Sequence, residues 1–210
     1  MKREFNLVFL SALLLVGCSD DNNLAEARVV EAESTFSTEY SPNPQVPDDR
    51  SLMEIGQTVS DKKGEATLEA ISEIGDTFEF GPIRLTIKEM KQIHLRPDYS
   101  LIDYFHVLTH EEEFDFVKVF VQVENTSTEP VHFAPVAKMK TNLGEEFDSH
   151  EDIYLEELNG ELLGKEVKQG NIGFIVHTPG TLEWILLNTS DIFNKSEMKI
   201  FNSQEIKLTF

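Results

Sequence analysis

Residues 116–124 constrain the fold more than any other segment, because valine occupies every second position there. The four valines are Val117, Val119, Val121 and Val123. A period of two is that of a β-strand, whose successive side chains point to opposite faces of a sheet. The branched Cβ of valine also packs well on a pleated surface. The segment therefore predicts a central strand with its valine face in the hydrophobic core.

Further short segments predict that the rest of the domain is also built from strands. They are residues 83–88, 172–177, 182–186 and 204–210. Turn signals such as Gly81-Pro82 and Pro179-Gly180 separate them. Short strands between turns predict an all-β antiparallel sandwich, of the immunoglobulin-like kind, although a barrel fits the same pattern. A parallel α/β fold needs long amphipathic helices between its strands, and the sequence offers none.

Proline and leucine positions refine the predicted strands. Pro135 lies in the middle of the segment that follows the valine strand, and proline cannot donate to a ladder, so we expect an edge or a bulge there. Residues 153–163 have a helical or irregular pattern. Leu182, Trp184 and Leu186 are expected to share one face of a strand, which favours a core position for Trp184 over an exposed binding platform.

The N-terminal end has the layout of a secretory signal. Lys2 and Arg3 precede an apolar run at residues 5–16, and small residues follow. A helix needs roughly 20 apolar residues to cross a bilayer, and this run is shorter. It therefore predicts a cleaved signal peptide at residues 1–17 rather than a membrane span.

Residues 15–18 read Leu-Val-Gly-Cys, which resembles the lipobox of bacterial lipoproteins at all four positions. The resemblance implies that the chain is cut before Cys18 and that the Cys18 sulfur carries a diacylglyceryl group, with palmitate as the fatty acid. Two acyl chains together give stable membrane anchoring, at about 0.8 kcal/mol per buried CH₂. The alternative is an unmodified thiol behind an ordinary cleavage site.

The remaining chain divides into three predicted parts. Residues 18–50 are expected to form a lipidated, flexible tether, because three prolines fall within six residues and proline favours extended chain. Residues 51–74 form an ambiguous lead-in, in which residues 64–71 favour an edge strand over a short helix. The folded domain is then expected at residues 75–210.

Charge and cysteine content exclude several classes of function. The chain has 18 basic and 38 acidic residues and a net charge of −20. Nucleic-acid binding depends on lysines and arginines that neutralise phosphates, so we expect no nucleic-acid partner. Cys18 is the single cysteine, so the chain can form no internal disulfide, and a lipidated Cys18 cannot serve in a Cys–His catalytic pair.

Three segments resemble a domain family found on secreted lipoproteins of Gram-positive bacteria. They are residues 116–127, which end in Asn-Thr-Ser, residues 142–147, and residues 168–176, which place a glycine before an apolar strand. The resemblance implies an immunoglobulin-like (telokin-like) sandwich. Residues 95–114 depart from the family pattern and are expected to form an enlarged loop.

A metal site is one hypothesis for this loop. His106 and His110 are spaced to share a helix face, and Glu111 offers a third ligand for Zn²⁺. The glutamate that a zinc protease needs beside its first histidine is absent, because Val107 stands there. The alternative is a polar loop that leads into the valine strand.

The other candidate sites match no complete catalytic or metal-binding motif. Tyr99, Tyr104 and Phe105 are expected to form an exposed contact surface, because loops on a rigid sandwich commonly bind partners. A second set of acidic residues suggests Ca²⁺ binding, but it lacks an ordered calcium loop and favours a solvated acidic face. Its members are Glu145, Glu146, Asp148, His150, Glu151, Asp152, Glu156 and Glu157. The sequence contains no nucleophile elbow or phosphate loop, and we expect no cofactor.

These observations favour a non-enzymatic lipoprotein on the extracytoplasmic face of a bacterial cell membrane. Its expected partners are the membrane, through the lipid on Cys18, and an envelope or extracellular protein. The alternative hypothesis is a metal-binding or metal-dependent lipoprotein that uses His106, His110 and nearby carboxylates.

Overall fold

The computed structural model describes residues 43–210, which form an all-β fold. The predicted signal peptide, Cys18 and the tether up to residue 42 lie outside these residues. The strands are β1 (Thr58–Asp61), β2 (Gly64–Phe80), β3 (Ile83–Pro97), β4 (Phe114–Asn125), β5 (Val131–Phe133), β6 (Lys138–Thr141), β7 (Glu146–Asp148), β8 (Gly160–Leu162), β9 (Val167–Val176), β10 (Trp184–Asn188), β11 (Ile192–Asn194), β12 (Lys199–Phe201) and β13 (Glu205–Thr209). The helical elements are one α-turn, α1 (Ile102–Phe105), and 3-10 turns at Tyr99–Leu101 and Ser149–Glu151. Within residues 43–210, no helix has the length and apolar content to cross a membrane.

These strands form three antiparallel sheets, which confirms the predicted antiparallel all-β class. The long sheet has the order β1-β2-β3-β4-β9, the second sheet β13-β10-β6-β7, and the third sheet β12-β11-β5-β8. As predicted, β4 is a central strand, because it pairs with β3 on one side and β9 on the other.

The valine face of β4 lies in the main core, where side chains of all three sheets meet. Val117, Val119, Val121 and Val123 are each at most 2% exposed. In the same cluster the second sheet contributes Ile185, and the third sheet contributes Phe133 and Ile192. The sandwich prediction for this face is therefore confirmed.

A second core covers the opposite face of β4. The alternating sequence pattern does not predict this core. Phe114 and Phe116 point into it, and they pack with Phe105, Val46 and Leu52. Successive residues of a strand face opposite sides, so β4 is buried on both faces over this stretch.

The folded domain begins earlier than predicted. Val46 is 1% exposed and Asp49 is 4% exposed, so the prediction of a flexible tether is wrong for residues 43–50. The segment bends at residues 44–46, where the Gln45 and Val46 amides donate to Asn43 Oδ1, and Val46 packs into the core. Residues 64–71 form a strand, as favoured, but residues 64–67 lie between β1 and β3 rather than at an edge. The predicted domain start at residue 75 falls inside β2.

Two local predictions are corrected by the structure. Pro135 lies neither at the edge nor at a bulge of a strand, but between β5 and β6, which belong to different sheets, so it marks the point where the chain crosses between sheets. The predicted core face of β10 is wrong, because Ile185 and Leu187 are fully buried while Trp184 and Leu186 are only partly buried. The strand starts at Trp184, so the alternation does not continue from Leu182.

Candidate functional site

The contact loop, residues 98–113, joins β3 to β4 at one end of the long sheet. The Asp98 carboxylate begins its 3-10 turn by accepting hydrogen bonds from the Ser100 amide (3.0 Å) and hydroxyl (2.6 Å). The Asp98 amide donates to the Lys63 carbonyl at 2.8 Å, which fixes the loop to the turn between β1 and β2. The loop therefore has a defined backbone rather than an irregular one.

Aromatic residues attach the contact loop to the second core. Phe105 is 1% exposed and packs edge-on against Phe114, with 5.1 Å between ring centroids. The Tyr104 hydroxyl donates to the Ile153 carbonyl at 2.8 Å. Burial and the nearby Asp152 charge raise the pKa of Tyr104, which keeps it a hydrogen-bond donor. The expectation of an exposed contact is therefore wrong for Phe105, and Tyr104 is an anchor.

Two apolar side chains of the contact loop point outward instead. Tyr99 is 87% exposed and Val107 is 82% exposed. Tyr99 lies between two open clefts of about 620 and 430 Å³, and His110 and Glu112 line both of them. Of the three predicted contact residues, Tyr99 is therefore the exposed one, and the exposed Val107 lies in the same loop.

The base of the loop is closed by polar contacts between β3 and the start of β4. Arg96 Nε donates to Glu113 at 3.0 Å, and His94 Nδ1 lies 2.7 Å from Asp115. A third cleft of about 510 Å³ lies on this side and is lined partly by His94, Glu111 and Leu182.

The metal hypothesis is not supported by the geometry of the loop. The rings of His106 and His110 stack with centroids 6.0 Å apart, but α1 ends at Phe105, so the two histidines do not share a regular helix. His106, His110 and Glu111 are all exposed. Among residues 43–210, no group of three or more histidine, cysteine, aspartate or glutamate side chains is arranged to hold a metal ion.

The carboxylates of the acidic set at residues 145–157 accept hydrogen bonds from backbone amides at separate places in the fold. The Glu145 carboxylate accepts from the His177 and Thr178 amides at 2.8 and 3.0 Å. Asp148 and Glu151 form a capping box around the second 3-10 turn. These carboxylates serve the backbone and do not converge on a cation.

Asp152 departs furthest from the expected solvated face, because it is only 7% exposed. Its Oδ1 accepts from the amides of Tyr154 (3.0 Å) and Gly173 (2.8 Å). Burial outweighs these hydrogen bonds and raises the pKa of Asp152 to about 6.

A buried charge cluster of Asp49, Glu89, Lys91 and Lys118 is the feature that sequence reasoning missed. All four side chains are at most 6% exposed. Lys118 Nζ lies 2.6 Å from Asp49 and 3.0 Å from Glu89, and Lys91 Nζ lies 3.1 Å and 3.3 Å from the same carboxylates. Lys118 also donates to Asn171 Oδ1 at 3.1 Å.

The charges of this cluster balance, two positive against two negative. Burial alone raises the pKa of Asp49, but the adjacent Lys118 and Lys91 outweigh it and lower that pKa. Burial lowers the pKa of Lys118, and Asp49 and Glu89 more than reverse the effect. The sequence carries a partial signal, because Lys118 stands between Phe116 and Phe120 on its face of β4, while Gln122 and Glu124 farther along that face are polar.

No protein-family model matches this sequence. It is 46% identical over 235 aligned residues to the uncharacterized protein YdhF of Bacillus subtilis (strain 168), covering 99% of this chain and 100% of that protein. It is 26% identical over 158 residues to the SPbeta prophage-derived uncharacterized lipoprotein YonS of the same organism, covering 73% of this chain and 70% of that protein.

Solved structures give weaker matches. A functionally unknown protein from Listeria monocytogenes EGD-e superposes with a TM-score of 0.49 at 11% identity, over 70% of this chain and 87% of that one. The yjhA protein from Bacillus subtilis superposes with a TM-score of 0.37 at 13% identity, over 55% of this chain and 81% of that one.

Proposed function

This chain belongs to the same family as YdhF of Bacillus subtilis, and from that premise we propose that it is a lipid-anchored, non-enzymatic binding protein. A lipid on Cys18 holds it on the extracytoplasmic face of the cell membrane. Its immunoglobulin-like sandwich presents the contact loop to a protein of the envelope or its surroundings.

Two observations support the anchor. Residues 15–18 match the lipobox pattern at all four positions, and a distant relative is itself a lipoprotein. Cys18→Ala is expected to abolish incorporation of labelled fatty acid and to shift the protein out of the washed membrane fraction. A Cys18→Ala protein that remains in that fraction would contradict the anchor.

The observation that carries the binding proposal is the contrast in burial between two aromatic residues of the contact loop. Phe105 is buried as an anchor, while Tyr99, near the start of the loop, is 87% exposed. Holding an exposed aromatic on an ordered backbone lowers the entropy lost on binding, and tyrosine is common among residues that dominate interfaces.

Position-specific cross-linking tests this role in the lipidated protein on intact cells. A photoreactive amino acid at position 99 is expected to give a discrete cross-linked species. The matched control places the same amino acid at Thr209, an exposed position on β13. Equal cross-linking from both positions, or none from position 99, would contradict a contact surface at the loop.

A further inference from the structure

Residues 43–52 are the first described part of the chain, and we name them the latch. They pack against the long sheet through buried side chains and hydrogen bonds. Val46 and Leu52 are 1% and 0% exposed. The Asn43 side chain donates to the Tyr154 carbonyl at 2.7 Å, and Lys63 Nζ donates to the Asn43 carbonyl at 2.9 Å.

Asp49 is the latch residue that belongs to the buried charge cluster. It is the one member of the charge cluster that comes from outside the long sheet, since Glu89 and Lys91 lie on β3 and Lys118 lies on β4. Lys91 binds both the Asp49 carboxylate and the Asp49 main-chain carbonyl, at 3.1 and 2.9 Å. Removing the Asp49 charge leaves two buried lysines against one carboxylate, an imbalance that a buried site tolerates poorly.

The latch and the contact loop share one core. Val46 and Leu52 belong to the second core together with Phe105, and Leu101 and Tyr104 pack against that cluster. The main core, which joins the three sheets, contains no residue of the latch. Loss of the latch therefore removes packing beneath the contact loop and leaves the main core intact.

We propose that the latch controls the order of the contact loop, with Asp49 as the group that fastens it to Lys91 and Lys118. The inference rests on the proposed function, because it concerns the regulation of the same surface. The tether joins the domain at the latch, so a pull on the lipid anchor acts first on residues 43–52. Release of the latch loosens the contact loop while the sandwich stays folded.

Hydrogen exchange on the full-length protein tests the proposal. Asp49→Asn is expected to lower the protection of the His106 and Thr109 amides, which donate to Ile102 and Phe105 carbonyls, by about tenfold or more. The amides of β10, in the second sheet, are expected to keep their protection. Unchanged exchange in the contact loop, or an equal loss in β10, would overturn the proposal.

The adjacent acid provides a matched control. Asp48 pairs with Arg50 at the surface, with 2.6 Å between Nη2 and Oδ2, so Asp48→Asn is expected to leave the exchange of the contact loop unchanged. If the Asp49→Asn chain does not fold, Val46→Ala makes the same test through packing alone. It must show the same selective loss, and a uniform loss or none would overturn the proposal.

The two proposals fail in different ways. Exchange reports the latch without any partner present, so an unchanged contact loop in Asp49→Asn overturns the latch and leaves the binding role standing. Absence of cross-links from position 99 overturns the binding role, while a selective loss of protection would still establish the latch.

Discussion

At the scale of single residues, each member of the buried charge cluster depends on the others for its neutralisation. Lys118 is fully buried on a central strand and is held by two carboxylates and Asn171. Replacing a whole buried ion network with apolar residues is often neutral, but removing one partner leaves an uncompensated buried charge. The cluster therefore acts as a unit.

Lys118→Met is expected to lower the free energy of unfolding by about 3–5 kcal/mol, because it leaves two carboxylates facing Lys91 alone. Urea denaturation of the domain measures the change. The control Lys62→Met removes an exposed lysine and is expected to change the free energy by at most about 0.5 kcal/mol. Equal effects of the two substitutions would show that burial of the lysine carries no special cost.

Asp152 gives the domain a pH-dependent stability of a definite sign. Its pKa is raised from 3.8 to about 6, so the folded protein binds this proton more tightly than the unfolded chain does. The stabilising contribution of the proton is complete below the unfolded pKa of 3.8 and is lost as the pH rises through about 6.

Asp152→Asn is expected to raise stability at pH 7.5 by about 1–3 kcal/mol, since the amide oxygen still accepts from Tyr154 and Gly173 without a buried charge. At pH 4 the variant and the native protein are expected to be nearly equal. Urea titrations at both pH values check this, with the exposed Asp103→Asn as the control. A destabilised variant at pH 7.5 would contradict the conclusion that the buried Asp152 charge lowers the stability of the fold.

At the scale of elements, the free edge of β9 is covered by residues 152–158. The Ile153 amide donates to the Gly173 carbonyl at 2.9 Å, while Asp152 and Glu156 accept from the Gly173 and Asn171 amides, each at 2.8 Å. An open strand edge invites pairing with another chain, so this cover keeps β9 from such pairing.

Gly173→Ala is expected to destabilise the domain by about 1–3 kcal/mol, because the new Cβ would lie 2.8 Å from the Tyr154 ring. Thermal unfolding measures the change. In a Tyr154→Leu background the same substitution is expected to cost less, and a double-mutant cycle isolates the difference. Identical costs in both backgrounds would mean that the ring is not the obstacle.

Elements differ in how far the sequence predicts them, for physical reasons. The valine face of β4 was predictable because alternation reports which face of a strand is apolar. The opposite face was not, because a lysine signals solvent unless a partner is known, and the partner of Lys118, Asp49, lies 69 residues earlier by numbering. The same separation in sequence made the packing of the latch unpredictable. Its prolines are also typical of linkers.

The contact loop was predicted in position but not in detail. Its length and aromatic residues indicated a contact surface between β3 and β4, and Tyr99 remains exposed. Burial of Phe105 could not be predicted, because its cavity is completed by Phe114 on β4 and by Val46 and Leu52 of the latch. Local pattern carries no information about packing between such distant segments.

At the scale of the whole molecule, the start of the latch and the contact loop meet at the same end of β2. Lys63 contacts both, since its Nζ binds the Asn43 carbonyl and its own carbonyl accepts from the Asp98 amide. The β12 edge lies at the other end of β2, where Phe201 packs against Phe80 and Gly81. The contact loop and β12 therefore lie at opposite ends of β2.

The most direct test is the affinity of the lipidated protein for the partner cross-linked at position 99. Tyr99→Ala is expected to weaken that affinity about tenfold or more, as loss of an exposed aromatic anchor does. Ile200→Ala, which truncates a 45% exposed residue on β12, is expected to leave it unchanged. An affinity that survives Tyr99→Ala, or that falls only with Ile200→Ala, would contradict a binding role for the contact loop.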